Sequence, residues 1–229
     1  MSNRSVVLQL QREALDISSD ILSLLRKVRI ISQKLGLEEL STWAKKEVGG
    51  YTVDNPTEII PKYRHIVGGT IELLHPNHGY SPTAIGDVNI KNDLERMIIS
   101  SGIPQITAYI KSNNPEFKQT LDPRRQKILN NYFNTPFFLS FSISFPVSCL
   151  YQILEDVRSV IIDWTILLES KGILGADLTF SENEIEIATT VNIVNFTTNI
   201  FQNSSDILIQ QNSNNAKQTT NSEKKIINN

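Results

Sequence analysis

The chain has 229 residues, with 24 acidic against 22 basic side chains and a formal net charge of -2. That near-neutral balance supplies no general field for nucleic acid or an anionic lipid surface. A single cysteine, Cys149, excludes an internal disulfide. Hydrophobic content of 40% and charged content of 20% are ordinary for a globular chain, and the length suits one domain, or one plus an appendage, with a sizeable core. No apolar run approaches the roughly 18 residues of a membrane span. Charge recurs at Arg12 and Glu13, too early for a signal-peptide core. A soluble, cytoplasmic chain with no membrane partner is expected.

Val6 to Leu15 reads as a first helix. Ser18 or Ser19 is expected to cap a second, whose inner face is Ile21, Leu24, Leu25, Val28, Ile31 and Leu35, with Gly36 beyond its end. Leu37 to Val48 reads as a third, stopped by Gly49-Gly50. Short connections suggest a small antiparallel helical bundle, with Arg26, Lys27 and Arg29 on its solvated side.

Proline and glycine then punctuate the chain from Pro56 to Pro82. Tyr63 to Leu74 reads as an irregular strand or a hairpin around Gly68-Gly69. Lys91 to Ser100 reads as helical, ended by Gly102 and Pro104. Ile106 to Ile110 is apolar and unassigned. Phe117 to Tyr132 reads as helical, broken at Asp122-Pro123. Phe138 to Phe145 is the clearest strand: Leu139, Phe141, Ile143 and Phe145 alternate with Ser140, Ser142 and Ser144, a period of two.

Cys149 to Ala188 is the most informative stretch. Leu150, Ile153, Leu154, Val157, Val160, Ile161, Trp164, Leu167 and Leu168 fall at the spacing of one helical face, and a core-facing helix is expected. Ser148 is placed to cap it, and Gly172 to end it. Ser181 and Glu184 fit the S-x-x-E capping box of a further helix. Cys149, at the start of an apolar face, reads as an inert thiol.

Beyond Ala188 the composition changes. Thr190 to Gln211 mixes β-branched residues with asparagine, glutamine and serine, and suits short strands with polar turns. Ile193, Phe196, Ile200, Ile207 and Ile209 are its apolar members. A short hairpin alone is marginal in water, so the strip is expected to pair with another copy, its amides stacking in register. Residues 212–229 are polar, and disorder is expected. The expected organisation is therefore residues 1–188 as a helical domain with inserted strands, 189–211 as a β-rich oligomerisation strip and 212–229 as a polar tail. The fold class is α+β, mostly helical: an antiparallel helical bundle with a small β element and a β-rich C-terminal strip.

Four pieces of the chain, in order and at matching spacing from about residue 8 to residue 211, resemble a known family. The first is Ser23-Leu24-Leu25-Arg26-Lys27 with Ile31 and Leu35. The second is Trp43-Ala44-Lys45-Lys46-Glu47-Val48-Gly49-Gly50-Tyr51, and the third Ile60-Pro61-Lys62-Tyr63-Arg64. The last runs through Val157-Arg158, Trp164, Leu168-Glu169, Gly172-Ile173-Leu174-Gly175 and Phe180-Ser181 to Glu184 and Ala188. They resemble elements of the AbiTii family of bacterial abortive-infection, or phage-defence, proteins. Val48 stands where that family's W…E-L-x-G-Y element has leucine, and residues 76–136 have no matched motif. The resemblance implies a protein that limits phage multiplication, at a cost to the host cell.

Residues that make or break covalent bonds are scarce. Neither G-x-x-x-x-G-K-[ST] nor G-x-G-x-x-G occurs, nor a G-x-S-x-G elbow, and one cysteine excludes cysteine-type zinc sites. His75-Pro76-Asn77-His78 could hold the edge of a metal site, but a surface loop is the plainer reading. Glu116-Phe117-Lys118 matches the E-x-K end of a nuclease strand, where carboxylates hold Mg²⁺ and the lysine steadies the scissile phosphate. Asn113-Asn114-Pro115 before it suggests a helix start instead. Asp122-Pro123-Arg124-Arg125-Gln126-Lys127 is a local basic cluster without an aromatic platform.

Trp43, Glu47, Tyr51, Tyr63 and Arg64 form the candidate polar cluster. It is either a recognition pocket or a structural anchor, with Glu47 and Arg64 paired. No catalytic residue, metal ligand or cofactor is assigned. The expected action is non-enzymatic sensing or assembly, as a homo-oligomer or with a partner defence protein or phage protein, and a nucleic-acid partner is not expected. The alternatives are a metal-dependent nuclease toxin using Glu116 and Lys118, or a plain scaffold module whose family likeness is accidental.

Overall fold

The computed structural model describes residues 5–53, 59–75 and 77–189. Three helices open the chain: α1 (Val6–Leu15), α2 (Ile21–Lys34) and α3 (Glu38–Gly49). Ser5 caps α1, its hydroxyl accepting from the Leu8 amide at 3.1 Å. The cap of α2 is Asp20, not Ser18 or Ser19. Its carboxylate accepts from the Ser23 amide at 3.0 Å, and an ionised acceptor suits the positive helix start better than a hydroxyl. A 3-10 turn, Lys62–Arg64, follows.

The middle holds β1 (His65–Val67), β2 (Thr70–His75), β3 (Gly79–Pro82), α4 (Val88–Leu94), β4 (Arg96–Ile98), α5 (Ile103–Lys111), β5 (Glu116–Thr120), α6 (Pro123–Phe133) and β6 (Phe141–Pro146). Among the described residues α7 (Ser148–Ser170) and α8 (Glu182–Ala188) come last. No helix among the described residues is long and apolar enough to cross a membrane.

All strand pairing among the described residues is antiparallel. One sheet is β1 with β4; the other runs β3-β2-β6-β5. The fold is thus α+β and mostly helical, with α1, α2, α3 and α7 packed side by side. Leu10, Leu24, Leu25, Ile31, Trp43 and Trp164 are fully buried between these helices, continuous with Phe141, Ile143 and Phe145 of β6.

Several local expectations are corrected. Gly68-Gly69 does not turn a hairpin: β1 and β2 enter different sheets. Residues 91–100 are split, because α4 ends at Leu94 and Met97 and Ile99 are buried beside it. Residues 117–120 form a strand, since β6 offers a pairing edge that local propensity cannot register. Ile106 to Ile110 belongs to α5. Ser148 does not cap α7; it is the first helical residue, and Val147 before it makes no side-chain cap. Gly172 does end α7, its amide donating to Glu169 O, and Ser181 and Glu184 do form a capping box.

Two side chains on the closing segment fasten the ends of the bundle. Arg158 lies buried on α7. Its guanidinium donates to the carbonyls of Ala14, Asp16, Ile17 and Ser19 at 3.0–3.4 Å, filling acceptors left open where α1 stops. Glu184 takes the amides of Leu174 and Gly175 on one oxygen, each at 2.9 Å, and that of Ser181 on the other at 2.8 Å. Val7 N then bonds Leu174 O, tying the start of α1 to this loop.

Candidate functional site

Helix α3 sets Trp43 and Glu47 one turn apart on its inner face. Gly50, at φ +93°, reverses the chain after it, and the Tyr51 amide bonds Ser100 O at 2.8 Å. A side chain at Gly50 would press on Ser100 O, and a Cβ at Gly102 would lie 2.3 Å from Val48 O. The two glycines therefore let α3 and the 100–102 loop touch backbone to backbone. The 3-10 turn brings Tyr63 and Arg64 in from the other side.

The five predicted side chains meet. Glu47 Oε1 accepts from the hydroxyls of Tyr51 and Tyr63, both at 2.7 Å, and from Arg64 Nε at 3.1 Å. Glu47 Oε2 accepts from Arg64 Nη2 at 2.5 Å, a bidentate fork. Trp43 Nε1 donates to the Tyr63 hydroxyl at 2.9 Å. Arg64 Nη1 reaches the carbonyls of Ile99 and Ser101 at 2.8 and 2.7 Å, and its guanidinium carbon lies 4.9 Å from the Tyr51 ring centre. Glu47 and Arg64 are both 0% exposed.

Electrostatics favour a neutral Tyr63 beside a charged Arg64. Burial first, then the Glu47 charge, pushes the Tyr63 phenol well above its ordinary range, so it stays a neutral donor. Burial works to lower the Arg64 pKa, but the Glu47 carboxylate outweighs it and the net direction is upward. The cluster holds one buried negative and one buried positive charge with their hydrogen-bonding capacity met.

A second polar cluster lies on the four-stranded sheet. Lys118 of β5 reaches Glu72 of β2 at 2.6 Å, across β6, and its ammonium lies 4.4 Å from the Tyr80 ring centre. Ser142 and Ser144 of β6 donate to the same carboxylate at 3.3 and 3.4 Å. The serine face of β6 is therefore buried under Glu72 and Lys118, not open to solvent. Lys118 belongs to the E-x-K pattern; Glu72 was missed. Its signal was a lone carboxylate inside the Thr70–His75 apolar run, opposite the alternating serines.

Other candidates stand apart. His75 Nε2 bonds the Ser81 hydroxyl at 2.8 Å across the β2–β3 hairpin, while His78 and Glu116 are exposed. Among the described residues no group of three or more His, Cys, Asp or Glu is placed to hold a metal ion. In the basic cluster, Arg125 bonds Arg96 O at 2.7 Å, and Arg124 and Lys127 face solvent. Cys149 is half-buried, and burial raises its pKa, away from the reactive thiolate. The strip residues Ile193, Phe196, Ile200, Ile207 and Ile209 lie outside the described residues.

A mostly helical α+β fold tied together by the Trp43–Glu47–Tyr63–Arg64 and Arg158 networks carries every motif of the resemblance. The AbiTii family model matches residues 5–193, and the chain belongs to that family. Its class is abortive-infection phage defence, so the likeness is not accidental. No curated protein and no solved structure gives a significant match.

Proposed function

We propose that this chain defends against phage without catalysing a reaction, by sensing infection and assembling with itself, through residues 189–211, or with a partner defence or phage protein. The observation that carries this reading is the closure of the family's signature residues. Glu47 and Arg64 are wholly buried, and their hydrogen bonds go to each other, to the Tyr51 and Tyr63 hydroxyls and to the Ile99 and Ser101 carbonyls, so the cluster acts as a fastener for α3, the 3-10 turn and the 99–101 loop. Residues free to act lie elsewhere, and the strip beyond Ala188 combines β-prone and amide side chains suited to pairing between chains. The test is the mass of the full chain and of a chain cut after Ala188, by light scattering. Loss of the oligomer on cutting supports self-assembly through the strip; an unchanged oligomeric state refutes that arm and leaves assembly with a partner protein.

One observation favours a nuclease as the second reading: the E-x-K pattern does lie on a strand, with Glu72 against its lysine. Purified protein with DNA or RNA and Mg²⁺ or Mn²⁺ separates the two. Cleavage lost in both Glu116→Ala and Lys118→Ala would establish the nuclease.

A further inference from the structure

Among the described residues the four-stranded sheet ends at β5, and the register decides what that edge offers. Val147 N bonds Pro115 O and Leu121 N bonds Phe141 O, while Phe117 and Gln119 stand opposite Phe145 and Ile143. Odd-numbered residues of this segment therefore face β6. Glu116, Lys118 and Thr120 turn their amides and carbonyls outward. Among the described residues the sole group bonded to that row is the Tyr109 hydroxyl, which donates to Glu116 O at 2.7 Å. Lysines commonly guard such edges, but Lys118 is tied back across the sheet to Glu72 and Tyr80. The other edge, β3, is short and ends in Pro82.

The same chain carries a segment that needs an edge. From Ile187 to Ser205 no residue is charged and none is proline. Seven of the eleven residues from Thr190 to Ile200 are β-branched: Thr190, Val191, Ile193, Val194, Thr197, Thr198 and Ile200. This stretch leaves the described fold at Thr189. Extended, these eleven residues reach roughly 36 Å.

We propose that residues 190–200 of a second copy add as a strand to the outer edge of β5. This deepens the assembly reading above and rests on it. Each copy both offers an edge and donates a strip, so two copies related by a two-fold axis exchange strips and close. Main-chain bonds to Lys118 and Thr120 supply the attachment.

The experiment compares the full chain with Thr120→Pro and Val194→Pro by light scattering. Proline at Thr120 removes an outward N–H and spares every bond to β6, the arrangement edge strands tolerate. The expected result is an assembled wild type and two monomeric variants with unchanged circular dichroism. If Val194→Pro dissociates while Thr120→Pro stays assembled, the strip pairs elsewhere and the edge assignment is overturned, with assembly intact. A monomeric wild type, or assembly surviving both substitutions, overturns the edge assignment together with the strip-mediated assembly beneath it. Should Thr120→Pro not fold, amide hydrogen exchange of the wild type decides. Lys118 and Thr120 amides are expected to exchange at least tenfold more slowly in the assembled state than after dilution. Fast exchange in the assembly, or protection that persists in the monomer because the chain's own strip docks there, contradicts the proposal.

Discussion

Replacing Arg64 by alanine removes the buried positive charge and leaves the Glu47 carboxyl without its cationic partner in a fully buried site, with only the two phenols to hold it. Breaking one side of a buried ion pair costs about 3–5 kcal/mol. The carbonyls of Ile99 and Ser101 also lose their arginine donor, at about 1 kcal/mol each. These terms overlap, so a loss of about 5 kcal/mol is expected. For a folded unit of roughly 180 residues the unfolding entropy is about 0.4 kcal/mol per degree, so Tm should fall by roughly 10–15 °C. Glu47→Gln relieves the stranded charge, so the double variant Glu47→Gln/Arg64→Ala should be at least about 2 kcal/mol more stable than additivity predicts. Denaturant melts of the two single variants and the double variant measure this. An Arg64→Ala protein within about 1 kcal/mol of wild type but without defence would refute the fastener and restore a recognition pocket.

Further consequences follow from other contacts. Gly102→Ala places a Cβ 2.3 Å from Val48 O, so α3 and the 100–102 loop must part; a loss of about 2 kcal/mol in denaturant melts is expected. Glu184 works against partial burial, but the amides of Gly175, Ser181 and Leu174 outweigh it and lower its pKa. Its contribution is thus present above the unfolded carboxylate range and lost as pH falls through the lowered folded value. Glu184→Gln should cost about 1 kcal/mol at pH 7, with the difference closing in melts at acid pH. Asp163 is the opposite case: burial raises its pKa, so its contribution is present in acid and lost as pH rises through the raised value. Asp163→Asn should raise Tm at pH 7 and leave it unchanged in acid.

The helical frame was legible because its signals are local. The spacing of apolar residues marks α1, α2, α3 and α7, and Ser181 with Glu184 marks α8. The β5 strand was not legible. Glu116–Thr120 is mostly exposed and lacks a strong β run, and becomes a strand because β6 lies alongside it. The same holds for Arg96–Ile98, whose strand exists through β1. In the site, Glu47 and Arg64 could be paired from their chemistry alone. Glu72 could not be joined to Lys118, because 46 residues and an intervening strand separate them. Likewise, Arg158 betrays no sign in its helix that it reaches the carbonyls closing α1.

If the β-rich strip beyond Ala188 carries defence, as proposed above, its apolar members Ile193 and Phe196 are indispensable to protection. Plating phage on cells that produce either the wild type or Ile193→Lys/Phe196→Lys tests it most directly. The variant is expected to fold with an unchanged Tm and to lose protection, so that plaques return to the number seen without the protein. Full protection by a variant that remains monomeric would contradict it.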